Sequence, residues 1–472
     1  MGAAGLTRTE RIHRVILHPD DVNTAWVCAI GPLWSDGEER GVFKTVDGGV
    51  TWKHVLRVDA STGCADLALD PAHSNRLIAA MWDHRREPWI FRSGGPGSGL
   101  HHSIDGGETW TRLLAKDGLP EGNLGRIGVA FAPSRSEIVY AFVEAKKNGI
   151  YRSEDGGLTW KNTGAEESFG NRPFYYADLR VDPENPDRVY SLWTLISVSE
   201  DGGKNWRTLV PFREIHPDHH AMWINPRDGR HLVIGNDGGV AISRDRGLTW
   251  RFVANLPLAQ FYHLRIDMET PFNVYGGLQD NGSWRGPSAV WENGGIRNHH
   301  WEEVGFGDGF DTAPDPENAR TGYAMSQEGF LFRWDLDTGK RRMIRPAGSA
   351  DTPLRFNWNA ALAQDPFDAA TIYFGSQVVH KSTDRGLTWS VISPDLTTND
   401  AQRQRQAESG GLTPDVTGAE NNTTIIALAP SPRARGLIWA GTDDGRVHVT
   451  QDGGATGRAS SPRCAVRPGA PT

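Results

Sequence analysis

The chain predicts an all-β fold, a propeller of four-stranded antiparallel blades, on three observations. An octapeptide of the form S/T-x-D-G-G-x-T-W recurs, a pair of alternating apolar strands joined at Asp-Pro or a close variant recurs ahead of it, and no helical periodicity outlasts a turn or two. The octapeptide starts at Thr45, Ser103, Ser153, Ser199, Ser243 and Ser382 and closes on Trp52, Trp110, Trp160, Trp206, Trp250 and Trp389. A further copy opens at Thr450 and lacks the closing Trp. The interval between the boxes at Ser243 and Ser382 holds three units, so two units without a box belong inside it. Residues 67–82, 179–193 and 362–375 carry the clearest strand pairs, and weaker copies bring the count to nine units. A parallel β-helix would repeat at about half this length or less.

Each residue of the box has a physical reason. The carboxylates of Asp47, Asp105, Asp155, Asp201, Asp245, Asp384 and Asp452 are placed to accept N–H groups of their own turns, which assigns them a structural role. The glycines supply positive φ, and the Trp buries a large surface between strands. Arg replaces the first Gly after Asp245 and Asp384, so only the second, Gly247 or Gly386, reads as obligatory. A calcium loop would need several oxygen ligands at alternating positions, and the box fixes one.

Composition excludes several function classes. A net charge of −8 over 472 residues, with no long Lys/Arg run, gives no electrostatic footprint for nucleic acid or anionic lipid. No apolar run approaches a membrane span, so no membrane insertion is expected. The three cysteines, Cys28, Cys64 and Cys464, are distant and odd in number. They read as neither a disulfide framework nor a CxxC metal site, with Cys28 and Cys64 as small buried hydrophobes. The N-terminus shows no apolar signal core, which leaves a cytoplasmic protein or one cut from a longer exported precursor. No cofactor motif is present: there is no GxSxG elbow, HExxH helix or Walker loop.

The box, its place between the third and fourth strands of a unit and its repetition resemble the Asp-box, or BNR, repeats of sialidases, sortilin-type receptors and tandem-propeller xyloglucanases. The stretches RPFYYADLRVDP, HPDHHAMWINP, GNDGGVAISRDRG, YGGLQDNGSW and FNWNAAL are similar to a bacterial group labelled sortilin-like, BNR-repeat or glycosyl hydrolase. That resemblance implies boxes on the outer rim, a secreted or periplasmic setting with the signal segment missing here, and parts of two seven-bladed propellers. Residues 1–257 would hold five units of the first and 258–456 four of the second, both incomplete. One ring of about ten blades is the alternative. Residues 457–472 break the pattern and are expected to be a disordered, aberrant tail.

Ligand sites of propellers lie where the innermost strands meet the channel face. Residues there are polar and aromatic: Arg172, Tyr175, Tyr176, His216, Asp218, His220, Tyr262, Asn357 and Asn359. His216, Asp218 and His220 would share one strand face, yet alternate strand residues stand roughly 6–7 Å apart, too far to converge on one ion, so polar lining without metal is expected. Asp280 and Asp308, each set among glycines, are candidates for the paired carboxylates of a glycosidase, with turn capping as the alternative for each. Asp237, in GNDGG, reads as a turn residue. The sialidase F/Y-R-I-P motif is absent. Two functions follow: an exported noncatalytic module binding peptide, protein or glycan on channel-face loops, as sortilin resemblance implies, or a polysaccharide-cleaving glycoside hydrolase with carboxylates across an inter-propeller cleft. The insertion at 83–102 is long for a blade loop and either hangs over one face or packs between rings.

Overall fold

The computed structural model describes residues 4–164, 169–256, 258–349, 353–418 and 420–455. The tail at 457–472 and Cys464 lie outside the described residues. Seven sheets have four strands each in sequential order, one has three, and one is enlarged to six. They are propeller blades, and every helical segment among the described residues is a 3₁₀ turn. The third sheet shows the pattern: Ile127–Phe131, Val139–Val143, Gly149–Ser153 and Lys161–Asn162 pair antiparallel in register. Apolar residues of adjacent sheets interdigitate, as where Ile78 and Leu100 of the second sheet pack with Val129, Val139 and Trp160 of the third.

The chain divides into two compact units, Met1–Leu256 with Glu408–Asp415, and Pro257–Ala407 with Val416–Thr472. Five sheets lie in the first and four in the second. In each, a buried-side arginine ties the innermost strands. Arg14, in Ile12–Leu17, donates to Asp66 of the second sheet at 2.8 Å and Asp178 of the fourth at 2.9 Å. Arg265, in Phe261–Ile266, donates to Asp311 of the next sheet at 2.7 Å and to the Leu362 carbonyl of the one after at 3.0 Å. Desolvated charge pairs of this kind are costly to break singly, which fixes how neighbouring innermost strands meet.

The cysteine expectation is corrected. Cys28 and Cys64 form a disulfide, with an S–S distance of 2.09 Å, between Ala25–Ala29 of the first sheet and Thr62–Leu69 of the second. Residues distant in sequence become neighbours because consecutive blades pack face to face, and spacing alone does not reveal that adjacency.

In the third box the Ser153 hydroxyl donates to Asp155 Oδ1 at 2.7 Å and accepts the Gly157 N–H at 2.8 Å. Asp155 Oδ1 also accepts the N–H groups of Leu158 and Thr159 at 3.0 and 2.9 Å, and Oδ2 takes the Thr159 hydroxyl at 2.5 Å. Trp160 donates to the Gly157 carbonyl at 3.2 Å and is buried. Gly157, at φ +96°, faces Ile78 of the preceding sheet, where a Cβ would stand 2.3 Å from Ile78 Cδ1. The box therefore closes its own hairpin and also seats it against the neighbouring blade.

Where Arg replaces the first Gly, positive φ persists: Arg246 has φ 61° and Arg385 φ 60°. Each side chain reaches back to the preceding sheet's acidic turn, Arg246 to Glu184 at 2.8 Å and Arg385 to Asp315 at 2.8 Å. Ion pairs offset backbone strain at a position glycine would otherwise occupy.

Candidate functional site

In the first unit, the turn after Asn171 sets Arg172 at φ 49°, and the N–H groups of Tyr175 and Tyr176 both donate to its carbonyl. The two tyrosine rings lie 6.2 Å apart, tilted by 49°. The Tyr175 ring lies against the Arg172 guanidinium, 4.8 Å from its centroid, and its hydroxyl accepts from Arg86 at 2.6 Å. The Tyr176 hydroxyl donates to Asp218 Oδ1 at 2.6 Å, and burial followed by that bond pushes the phenol pKa upward, keeping it protonated.

The expectation that His216, Asp218 and His220 share one strand face is overturned. The strand runs His219–Ile224, and Asp218 precedes it at φ 63°. Pro217 offers no N–H to a sheet, and Asp218 tolerates the left-handed turn, so alternation starts only at His219. His220 instead pairs with Asp237, Nε2 to Oδ1 at 3.0 Å, while its ring lies 5.1 Å from that of Tyr176. His216 packs against Gly238. His219 is buried, and burial with the neighbouring imidazoles of His216 and His220 lowers its pKa to about 4, so it is neutral.

Asp237 is likewise not the turn residue. Asn236 Oδ1 accepts the N–H groups of both Gly238 and Gly239 at 3.0 Å, which leaves the Asp237 carboxylate to face His220. The first unit thus gathers Arg172, Tyr175, Tyr176, Asp218 and His220, with Arg86 and Asp237 added. Arg86 lies in the insertion, which folds as the strands Leu77–Glu87 and Ile90–Ser93 extending the second sheet. Arg172 is itself occupied, its Nε donating to Asp415 at 2.8 Å.

The second unit gathers a different set. The Tyr262 ring stacks on Phe310 at 4.5 Å and its hydroxyl donates to Gln279 at 2.6 Å. Asp280 has φ 60°, and its N–H donates to Asp308 Oδ1 at 2.8 Å. Asp308 is buried and its own N–H donates to Gln327, so its carboxylate holds the turn that presents Asp280. Asn359 meets His263 Nε2 at 2.8 Å. Asn357 donates to the Asn421 carbonyl and to Asp443, both at 2.9 Å, and so fastens the ninth sheet's turn.

Outside these faces, Glu292, His299 and His300 cluster in the sixth sheet's outer connection. His300 Nδ1 accepts the Arg297 N–H at 2.9 Å, and its Nε2 lies 3.1 Å from Glu292. The proton is thereby placed on Nε2, the atom a metal would need, so the trio reads as a loop clasp.

The family model described as photosynthesis system II assembly factor YCF48 matches residues 31–172. The xyloglucanase Xgh74A of Acetivibrio thermocellus is 22% identical over 88% of this chain and 53% of its own length. The chain therefore spans about half of that relative. The photosystem II assembly lipoprotein Ycf48 of Synechococcus sp. (strain CC9902) is 31% identical over 26% of this chain and 31% of its own. Among solved structures, the GH74 xyloglucanase from Xanthomonas campestris is similar at a TM-score of 0.43 and 16% identity, covering 95% of this chain and 70% of that one.

Proposed function

We propose that the chain, a β-propeller similar over residues 31–172 to a BNR-repeat family model, is an exported binding module whose first unit receives a peptide, protein or glycan ligand. The receiving face is built by Arg172, Tyr175, Tyr176, Asp218 and His220. One observation carries this reading: these side chains are fixed by one another and chemically mixed, all but the buried Tyr176 at least partly exposed, whereas Asp308 is consumed in holding a turn. Oriented aromatic and hydrogen-bonding groups suit recognition. The Cys28–Cys64 disulfide supports export, because such bonds persist in oxidising compartments. No described helix is long and apolar enough to cross a membrane.

Glycoside hydrolysis is the second reading. It is favoured by the likeness to a xyloglucanase across most of this chain, and in it Asp280 is the reacting carboxylate, presented by Asp308. A combined screen of the chain against polysaccharide and peptide arrays separates the two. Retained ligand without reducing-end release supports the module. Hydrolysis abolished by Asp280→Asn supports the hydrolase, and hydrolysis that survives this change removes Asp280 from either role.

A further inference from the structure

Glu408–Asp415 belongs to the first unit although Ala407 and Val416, on either side of it, belong to the second. This octet is laid on the first unit as a guest strand would be. Gly410–Gly411 pairs parallel with Arg92 and Ser93, at the edge of the extended second sheet. The Phe91 N–H donates to the Ser409 hydroxyl at 3.1 Å and the Leu412 N–H to the Ser93 carbonyl at 3.3 Å. Gly411, at φ +82°, lies so close that a Cβ would stand 2.5 Å from the Ser93 carbonyl oxygen. Asp415, with only 3% of its side chain exposed, ends the octet on Arg172.

Three features separate this contact from ordinary packing. The backbone ladder is only two residues long and a Gly-Gly pair is costly to order, so side-chain bonds such as Asn148 to Thr413 at 3.3 Å carry much of the hold. Arg172 keeps a left-handed backbone that non-glycine residues rarely adopt, and such strain collects at ligand clamps. Its guanidinium donates to Asp415 through Nε alone and remains 30% exposed, so the two terminal nitrogens stay available to a second carboxylate oxygen. Edge-strand addition with a charged anchor is a recurrent mode of peptide capture.

We propose that Glu408–Asp415 is a cis-acting plug, and that the ligand it stands in for is a peptide running alongside Ile90–Ser93 with a carboxylate on Arg172. The inference rests on the first unit's being a binding surface and names both its ligand chemistry and its internal competitor. A side-chain carboxylate and a chain terminus share this chemistry.

The test uses the full chain and a fluorescent synthetic peptide of residues 405–418, followed by polarisation. Asp415→Asn, which removes the anchor charge, and Gly411→Val, which cannot approach Ser93, are each expected to bind the peptide at least tenfold tighter than the unaltered chain. Adding Arg172→Met, or replacing the peptide's Asp by Asn, should cancel the gain. A peptide truncated after Asp, in free-acid and amidated forms, distinguishes terminal from side-chain capture. Equal binding by plug-altered and unaltered chains of matching melting temperature overturns the proposal. So does failure of both single variants to fold, since the octet would then be part of the core. An array ligand that binds all variants alike removes the plug and leaves the binding-module reading standing.

Discussion

Two aspartates sit in Asp-Gly-Gly turns and do opposite things. In SEDGGLTW, Asp155 spends both oxygens on its own hairpin, whereas in GNDGGVAI Asn236 takes the turn N–H groups and Asp237 faces His220. The preceding residues decide which. Ser153, two before Asp155, orients the carboxylate inward and accepts the Gly157 N–H. Asn236, one before Asp237, supplies an uncharged acceptor at the turn, and the acid pairs with His220 instead. An Asp among glycines is thus a fastener where its own loop is short of acceptors, and turns to a partner outside its turn, as Asp237 does to His220, where a neighbour has met that need.

The contrast can be broken most severely at the fastener's anchor. Trp160→Ala should cost about 3–5 kcal/mol of unfolding free energy, as expected for a buried aromatic, read by denaturant unfolding. Asp155→Ala should cost about 1 kcal/mol, since its charge-assisted bonds are largely exposed, while Asp237→Ala should shift stability by less than about 0.5 kcal/mol. Equal losses from the two aspartates would erase the distinction.

Acid sharpens it further. Bonds from the box Thr hydroxyl, or from the Asn205 amide, hold Asp47, Asp105, Asp201, Asp245 and Asp384 at about 2. A carboxyl depressed in the folded state stabilises above its unfolded value near 3.9, and that contribution fades as pH falls toward 2. The melting temperature should therefore drop between about pH 4 and pH 2. Asp105→Asn should flatten that slope. Smallest is Arg246→Gly, where lost ion pairs and relieved strain should cancel within about 0.5 kcal/mol, while Arg246→Ala keeps the strain and should be worse.

The propeller was legible because its signals are local. The Asp155 carboxylate makes its hydrogen bonds within four residues, and the apolar alternation of each strand lies within one stretch of chain. The site was legible only as a set of residue types. Asp415 meets Arg172 across 243 positions, and nothing near either residue announces the other. Pro217 concealed the turn that removes Asp218 from the strand, although an X-Pro step beside an acidic residue is itself a turn signal. Cys28 and Cys64 join neighbouring blades, and Arg246 answers an acidic turn on the preceding one. These are tertiary facts that follow once the blades are stacked and that no window along the chain contains.

The central claim is that the box aspartates fasten their own hairpins and that Asp237, whose turn is closed by Asn236, serves binding. Its most direct test titrates the ligand returned by the array into Asp237→Asn and Asp155→Asn, with melting temperatures measured in parallel. Asp237→Asn should weaken binding at least tenfold at unchanged melting temperature, and Asp155→Asn should lower the melting temperature at unchanged affinity. The reverse pattern, or an affinity indifferent to Asp237, would contradict it.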